Sequence, residues 1–146
     1  MVLKRRGEHR YGETQADLRE EVTRYARANH YVAHHFADPI CGCGSRVFRL
    51  NLDDTAGAAV RTCVGCGDVH AIGDSGEYLD EADLEECACP CGGEVFELTA
   101  AVSLYRGSDD VRWFYLGCRC PACGLTAVYG DWKNEFNGYQ ELLSRV

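Results

Sequence analysis

The chain has 146 residues, ten cysteines and a formal net charge of −8. The charge is uneven, because residues 1–40 hold seven Lys/Arg against six Asp/Glu, whereas residues 41–146 hold eight against seventeen. The size allows a modest core whose stability bound metal could dominate, and the acidic excess disfavours indiscriminate binding to phosphate backbones.

The cysteine count has to be interpreted together with the expected compartment. The basic start of the chain is not followed by an apolar segment, and no run of eighteen apolar residues occurs. These features predict a cytoplasmic protein without a membrane-spanning segment. In a reducing cytoplasm, ten cysteines indicate metal ligation rather than disulfides.

Residues 1–40 are predicted to form a basic arm followed by one amphipathic helix. The helix would begin at Glu13 or Thr14 and end before Pro39. Its apolar residues recur at steps of three or four residues, or multiples of them, at Leu18, Val22, Tyr25, Val32 and Phe36. His30 and His34 would lie one turn apart, and a solvated helix face is favoured over a metal or phosphate contact for this pair.

Residues 41–74 contain two pairs of cysteines, each followed by a glycine. The pairs are Cys41-Gly-Cys43-Gly44 and Cys63-Val-Gly-Cys66-Gly67. Alternating and β-branched residues predict strands at 47–52, 58–62 and 69–72. The segment therefore reads as a small β module that begins at its first cysteine pair.

An acidic connector at residues 75–88 is predicted to form one or two helical turns, and residues 89–131 then repeat the module. Residues 89–98 match residues 41–50 at six of ten positions, and the second cysteine pairs also align. Strands are predicted at 96–104, 111–116 and 126–129. The duplication leaves open whether the two copies pack about a twofold axis.

Residues 132–146 are predicted to hold a short helix at 139–144. The expected fold is α+β, with two tandem antiparallel β modules between an N-terminal amphipathic helix and a short C-terminal helix. Each Gly-Asp pair, Gly73-Asp74 and Gly130-Asp131, is predicted to be a turn that ends the third strand of its copy and caps local N–H groups.

The paired cysteines resemble those of the zinc-ribbon superfamily. Zinc prefers four soft ligands in a tetrahedron, and two cysteines close together on a tight turn provide half of that shell. The glycine after each pair suits a turn with positive φ. The resemblance covers residues 41–74 and 89–131, and each first pair is one residue shorter than the Cys-x-x-Cys of that superfamily. It implies two structural zinc sites, one formed by Cys41, Cys43, Cys63 and Cys66 and the other by Cys89, Cys91, Cys120 and Cys123.

Sulfur ligation alone does not separate zinc from iron, and zinc is preferred because it is more frequent. Cys87 and Cys118 remain outside the two ligand sets, and their counterparts in the first copy are Pro39 and Arg61. Buried neighbours of the second site are the favoured interpretation. Spare ligands or a redox pair are the alternatives.

Three classes of function are compatible with these features. The favoured class is a non-enzymatic module whose acidic face binds a basic protein, as an adaptor or as an inhibitor of the immunity-protein type. The second class is a nucleic-acid-binding protein that uses Lys4, Arg5, Arg6, Arg10, Arg24 and Arg27. The third is a thiol-redox protein acting through Cys87 and Cys118. The sequence contains no nucleophile-elbow, phosphate-loop or dinucleotide glycine motif, so neither an enzyme nor a small-molecule substrate is predicted.

Aromatic residues concentrate in and after the second copy. A core role is the default for them, and an acidic and aromatic contact surface is the alternative. The residues concerned are Trp113, Phe114, Tyr115, Tyr129, Trp132, Phe136 and Tyr139.

Overall fold

The structure is a computed structural model that describes residues 3–146. It contains two antiparallel sheets and two α-helices, which confirms the α+β prediction. In chain order the strands and helices are β1 Lys4–Arg6, β2 His9–Tyr11, α1 Gln15–Ala28, β3 His35–Ala37, β4 Phe48–Asp53, β5 Ala58–Cys63, β6 Val69–Ala71, β7 Glu85–Glu86, β8 Glu97–Leu104, β9 Val111–Arg119, β10 Leu125–Lys133 and α2 Tyr139–Leu143.

The second repeat forms the centre of a six-stranded sheet with the order β1-β2-β10-β9-β8-β3. Residues near the N-terminus supply both edges, because the β1–β2 hairpin pairs with β10 and β3 pairs with β8. These three short strands were not predicted from the sequence. Strands of three residues are too short to show a clear alternation of apolar and polar residues.

The first repeat forms a four-stranded sheet with the order β6-β5-β4-β7. Its three strands lie within one or two residues of their predicted positions. The fourth strand comes from the connector, which also contains two short 3-10 turns at Ser75–Glu77 and Leu79–Glu81. The predicted helical turns of the connector are therefore confirmed.

The two repeats meet at equivalent residues. Phe48 and Phe96 hold the same position in the two copies, and each N–H donates to the other residue's carbonyl, at 2.9 and 2.8 Å. Such a reciprocal contact between equivalent groups is what a local twofold axis produces. Side chains of both sheets share one core, which includes Phe48, Leu50, Ile72, Phe96, Leu98, Phe114 and Leu116.

Helix α1 covers the opposite face of the six-stranded sheet. Its first turn is held by a capping box, in which the Thr14 hydroxyl accepts from the Asp17 N–H and the Asp17 carboxylate accepts from the Thr14 N–H. The N–H groups of Glu13 and Thr14 hold the pKa of Asp17 below its usual value despite its burial. The apolar face of the helix packs against Ala101 and Tyr115 through Leu18, Val22 and Ala26.

The prediction that this helix continues toward Pro39 was wrong. It ends at its C-cap residue Asn29, and the next residue, His30, has a left-handed backbone with φ of 66°. Asparagine and histidine favour helices weakly and tolerate this conformation better than most residues. The chain then pairs with β8 as a strand that contains Phe36, so His30 and His34 are not one helical turn apart.

Helix α1 approaches the sheet closely over Gly117. A Cβ atom at this position would lie 2.5 Å from Val22 Cγ2 and 3.3 Å from Leu18 Cδ1. Because valine is rigid in a helix, we expect Gly117→Ala to destabilise the protein by about 1 to 3 kcal/mol. Urea unfolding measures this change. Gly76→Ala is the control, since a Cβ there meets nothing within 4 Å, and equal unfolding midpoints for the two variants would contradict the prediction.

The end of the third strand differs between the copies. Gly73 and Asp74 follow β6 and begin a turn, as predicted, whereas Gly130 and Asp131 lie inside β10, where the prediction was wrong. The predicted capping by Asp74 was also wrong, because its carboxylate accepts from the Asn134 side-chain amide and makes no cap hydrogen bond. The Asp131 carboxylate accepts hydrogen bonds from the Tyr25 hydroxyl and the Trp113 indole N–H, rather than capping local N–H groups. Strand β10 is longer than predicted because it continues past a bulge between Val128 and Gly130.

The predicted C-terminal helix is confirmed as α2. Neither helix in residues 3–146 has the length and apolar character needed to cross a membrane.

Candidate metal centres

The first four-cysteine group joins the turn before β4 to the turn after β5. The Sγ atoms of Cys41, Cys43, Cys63 and Cys66 all lie within 4.8 Å of one another. The separation is 3.5 Å between Cys41 and Cys66, and also 3.5 Å between Cys43 and Cys63. The hairpin of β4 and β5 places these two turns side by side, since Phe48 pairs with Cys63 at its open end.

The second group joins the turn before β8 to the turn between β9 and β10. The Sγ atoms of Cys89, Cys91, Cys120 and Cys123 also lie within 4.8 Å of one another. The separation is 3.5 Å between Cys89 and Cys123, and 3.6 Å between Cys91 and Cys120. The structure thus brings all eight predicted ligand residues together in the predicted two sets of four.

These distances suit a tetrahedral metal ion. Zinc–sulfur bonds of about 2.3 Å require sulfur atoms about 3.8 Å apart in a tetrahedron. A disulfide would instead place two sulfur atoms about 2.05 Å apart, and all ten cysteines are free. The donors are soft thiol groups, so each group can hold zinc or another ion that prefers thiolate ligands.

Backbone hydrogen bonds shape each turn around its sulfur atoms. The N–H of the glycine after each pair donates to the carbonyl of the first cysteine of that pair, at 2.7 to 2.9 Å. All four glycines have the positive φ that was predicted, between 79° and 95°, at Gly44, Gly67, Gly92 and Gly124. Since other residues adopt this backbone only with strain, the four glycines fix the turns that present the sulfur atoms.

Each group has a buried half and an exposed half. Cys41, Cys63, Cys89 and Cys120 are buried, and the other four are exposed. N–H groups of the turns also point at sulfur, as in the bond from Gly93 to Cys91 Sγ, which lowers the pKa of Cys91 to about 7. Such donors favour the thiolate form that a metal ion requires.

Cys87 and Cys118 lie outside both groups. Cys118 is fully buried in the core, and burial raises the pKa of its thiol well above its usual value. Burial also raises the pKa of Cys87 to about 11, assisted by the carboxylates of Asp54, Glu86 and Glu85. These surroundings favour neutral thiols.

The histidines and cations considered in the sequence analysis are distributed widely. His34 Nδ1 accepts from the Leu104 N–H. Of the six cations considered for nucleic acid, Arg24 pairs with Glu21 at 2.7 Å and Arg10 lies 4.0 Å from the same carboxylate. In residues 3–146, the other four cations, Lys4, Arg5, Arg6 and Arg27, form no ion pair.

The structure also assembles an acidic groove that sequence reasoning did not locate. It is a cavity of about 440 Å³ whose lining charges are all negative, from Asp53, Asp54, Asp83, Glu85 and Glu86. Pairing of β7 with β4 brings the connector residues beside the β4–β5 turn. The acidic run of residues 74–86 was the available signal, but the sequence did not indicate what it faces.

A metal ion held by four cysteines has no open coordination position for a substrate. Such a centre stabilises the turns around it and the strands that the turns connect. Comparison with known proteins adds no further assignment, since no family model, no curated protein and no solved structure matches this chain.

Proposed function

We propose that the protein is a non-enzymatic interaction module in which two zinc ions stabilise a duplicated β scaffold of the zinc-ribbon type. The sulfur spacings and the N–H donors around them support zinc or iron, and the greater frequency of zinc in four-cysteine sites favours zinc. Elemental analysis of the protein purified from its native cells separates the two metals. About two zinc ions per chain is the expected result.

The acidic groove is the observation that carries the proposed interaction. Two segments of the chain, residues 52–55 and 83–87, form its lining, and the N–H groups of Asp83, Ala56 and Thr55 hold the pKa of Asp53 below its usual value. The groove therefore gathers five carboxylates in one place. A surface of this kind attracts a basic partner at long range and repels an acidic one.

We infer that the partner is a basic protein in the cytoplasm and that this chain is its adaptor or inhibitor. The net charge of −9 over residues 41–146 adds to the attraction. The redox alternative is less well supported, because the pKa of each remaining thiol is raised. Binding of nucleic acid would depend on Lys4, Arg5, Arg6 and Arg27, since Glu21 already pairs with Arg24 and lies close to Arg10.

The test is a triple substitution, Asp54→Asn, Asp83→Asn and Glu85→Gln. In the described part of the chain these three side chains make no hydrogen bond and no ion pair, so their loss leaves the fold intact. We expect capture of a basic protein from native cells to fall at least about tenfold, because losing charges at the rim of an interface slows association. Quantitative mass spectrometry of the captured proteins measures the change.

The matched control removes the same charge elsewhere, by Glu8→Gln, Glu20→Gln and Asp109→Asn, all at exposed positions. It should capture the partner as well as the unsubstituted chain does. Equal capture by both triple variants, or capture of nucleic acid without a basic protein, would rule out the proposed role of the groove.

A further inference from the structure

A second pocket lies between the N-terminal hairpin and the last cysteine turn. It is a cavity of about 300 Å³. Lys4, Arg6 and Tyr11 line one side, residues 121–124 line the other, and Arg119 and Glu13 also contribute. Its lining holds three cations and one carboxylate, whereas the chain as a whole has a formal net charge of −8.

Two of the hairpin's cations, Lys4 and Arg6, face the same way. Lys4 and Arg6 are two residues apart on β1, so both side chains lie on one face of the strand. Tyr11 is the partner of Lys4 across the hairpin, and the Arg6 guanidinium lies 5.5 Å from the centre of the Tyr11 ring. In residues 3–146 neither cation has an acidic partner, whereas Arg119 is bonded to Glu97 at 2.7 Å.

Backbone contacts hold the hairpin against the cysteine turn. The Gly12 N–H donates to the Gly124 carbonyl at 2.8 Å, and Arg119 Nε donates to the Gly12 carbonyl at 2.8 Å. A Cβ atom at Gly124 would lie 2.9 Å from the Gly12 carbonyl oxygen, so the two segments touch directly. These contacts hold the Gly12 side of the pocket against the cysteine turn.

We propose that this pocket binds the phosphate ester of a nucleotide. Lys4 and Arg6 supply the positive charge and N–H donors that phosphate oxygens need, and the Tyr11 ring, which lines the pocket, offers an aromatic surface for a base. The volume is at the lower end of the range for small-ligand sites, about 300 to 1,000 Å³. This site is independent of the acidic groove and goes beyond the proposed function.

The charge of the whole chain limits the form of the ligand. A long duplex would bring many phosphates against a surface with a net charge of −9 over residues 41–146. A free nucleotide or a short single strand places one or a few phosphates at the hairpin and avoids this repulsion. Both carry the same phosphate ester, and the experiment below separates them.

The test compares the unsubstituted protein with the double variant Lys4→Gln/Arg6→Gln. The probes are uridine monophosphate, measured by calorimetry, and a fluorescein-labelled uridine RNA of about ten nucleotides, measured by fluorescence anisotropy at low salt. We expect the double variant to bind at least about tenfold more weakly. For the RNA strand, the slope of log K against log salt should fall by about 1.4, about 0.7 for each cation removed.

The control Arg46→Gln/Arg106→Gln removes two exposed cations elsewhere and should bind as the unsubstituted protein does. Tighter binding of the strand than of the monophosphate identifies a nucleic-acid strand as the ligand, and equal binding identifies a free nucleotide. The proposal is overturned if neither probe binds, or if the double variant binds as well as the control. If neither probe binds and the double variant self-associates, the role of Lys4 and Arg6 is instead to prevent the open sheet edge at β1 from pairing with another chain.

Discussion

Replacing Cys120 with serine is expected to unfold the chain. Structural zinc sites contribute about 10 to 16 kcal/mol, whereas a domain of this size has a total free energy of unfolding of about 5 to 15 kcal/mol. Cys120 is buried at the turn between β9 and β10, and its N–H donates to the Leu125 carbonyl. Loss of this ligand would release the turn that joins the two longest strands of the six-stranded sheet.

The matched control is Cys118→Ala. Cys118 lies two residues earlier, on β9, and is also buried, but it is outside the four-sulfur group. We expect this variant to keep two zinc ions and to be destabilised by about 1 to 2 kcal/mol, as is usual for the loss of a small buried side chain. The comparison separates the effect of the metal ligand from the effect of the buried volume.

Circular dichroism, urea unfolding and zinc content per chain measure both variants. Cys120→Ser should have fewer than two zinc ions and no cooperative unfolding transition. The structural role of the metal would be refuted if Cys120→Ser lost zinc but unfolded at the same urea concentration as Cys118→Ala.

The metal centres were predictable from the sequence because their determinants are local. Two cysteines one or two residues apart, followed by a glycine, specify a turn whatever surrounds it. The repeat then indicated which turns belong together, since Cys41 to Cys66 and Cys89 to Cys123 follow the same order. Strand positions within each copy also follow from local alternation, as in residues 96–104.

The remaining features depend on pairing between distant residues. Tyr11 pairs with Leu125 in the six-stranded sheet, and Glu85 pairs with Leu52 in the other. In neither pair does the local sequence around either residue indicate its partner. Helix α1 likewise stops at Asn29 although its apolar spacing continues to Phe36, because residues 35–37 form strand hydrogen bonds with β8 instead.

The contact between equivalent phenylalanines allows a sharper comparison of the two copies. Phe48 and Phe96 are both fully buried, so truncating either side chain to alanine should destabilise the protein by about 3 to 5 kcal/mol. Their neighbours differ. The guanidinium of Arg61 lies 4.7 Å from the centre of the Phe48 ring, whereas the ring of Tyr129 lies 5.1 Å from that of Phe96.

Arg61 makes the first copy more sensitive to this truncation. It is a buried cation that donates from Nε to the Val146 carbonyl, and in residues 3–146 its Nη1 is the one buried side-chain polar atom without a hydrogen-bond partner. Burial lowers the pKa of its guanidinium, although Cys41, Asp68 and Cys63 oppose the shift. The Phe48 ring therefore compensates a desolvated charge, and such a contact contributes about 2 kcal/mol.

We therefore expect Phe48→Ala to lower the free energy of unfolding by about 1 to 2 kcal/mol more than Phe96→Ala does, as measured by urea unfolding. Because the two phenylalanines hold equivalent positions, the cost of losing their apolar area is similar in both variants and largely cancels in the difference between them. The excess should disappear when both truncations are repeated with Arg61→Met, which removes the buried charge. Zinc content is measured in every variant, so that loss of the neighbouring metal is recognised. An excess that persists without Arg61 would mean that packing around Phe48, rather than its contact with the cation, distinguishes the two copies.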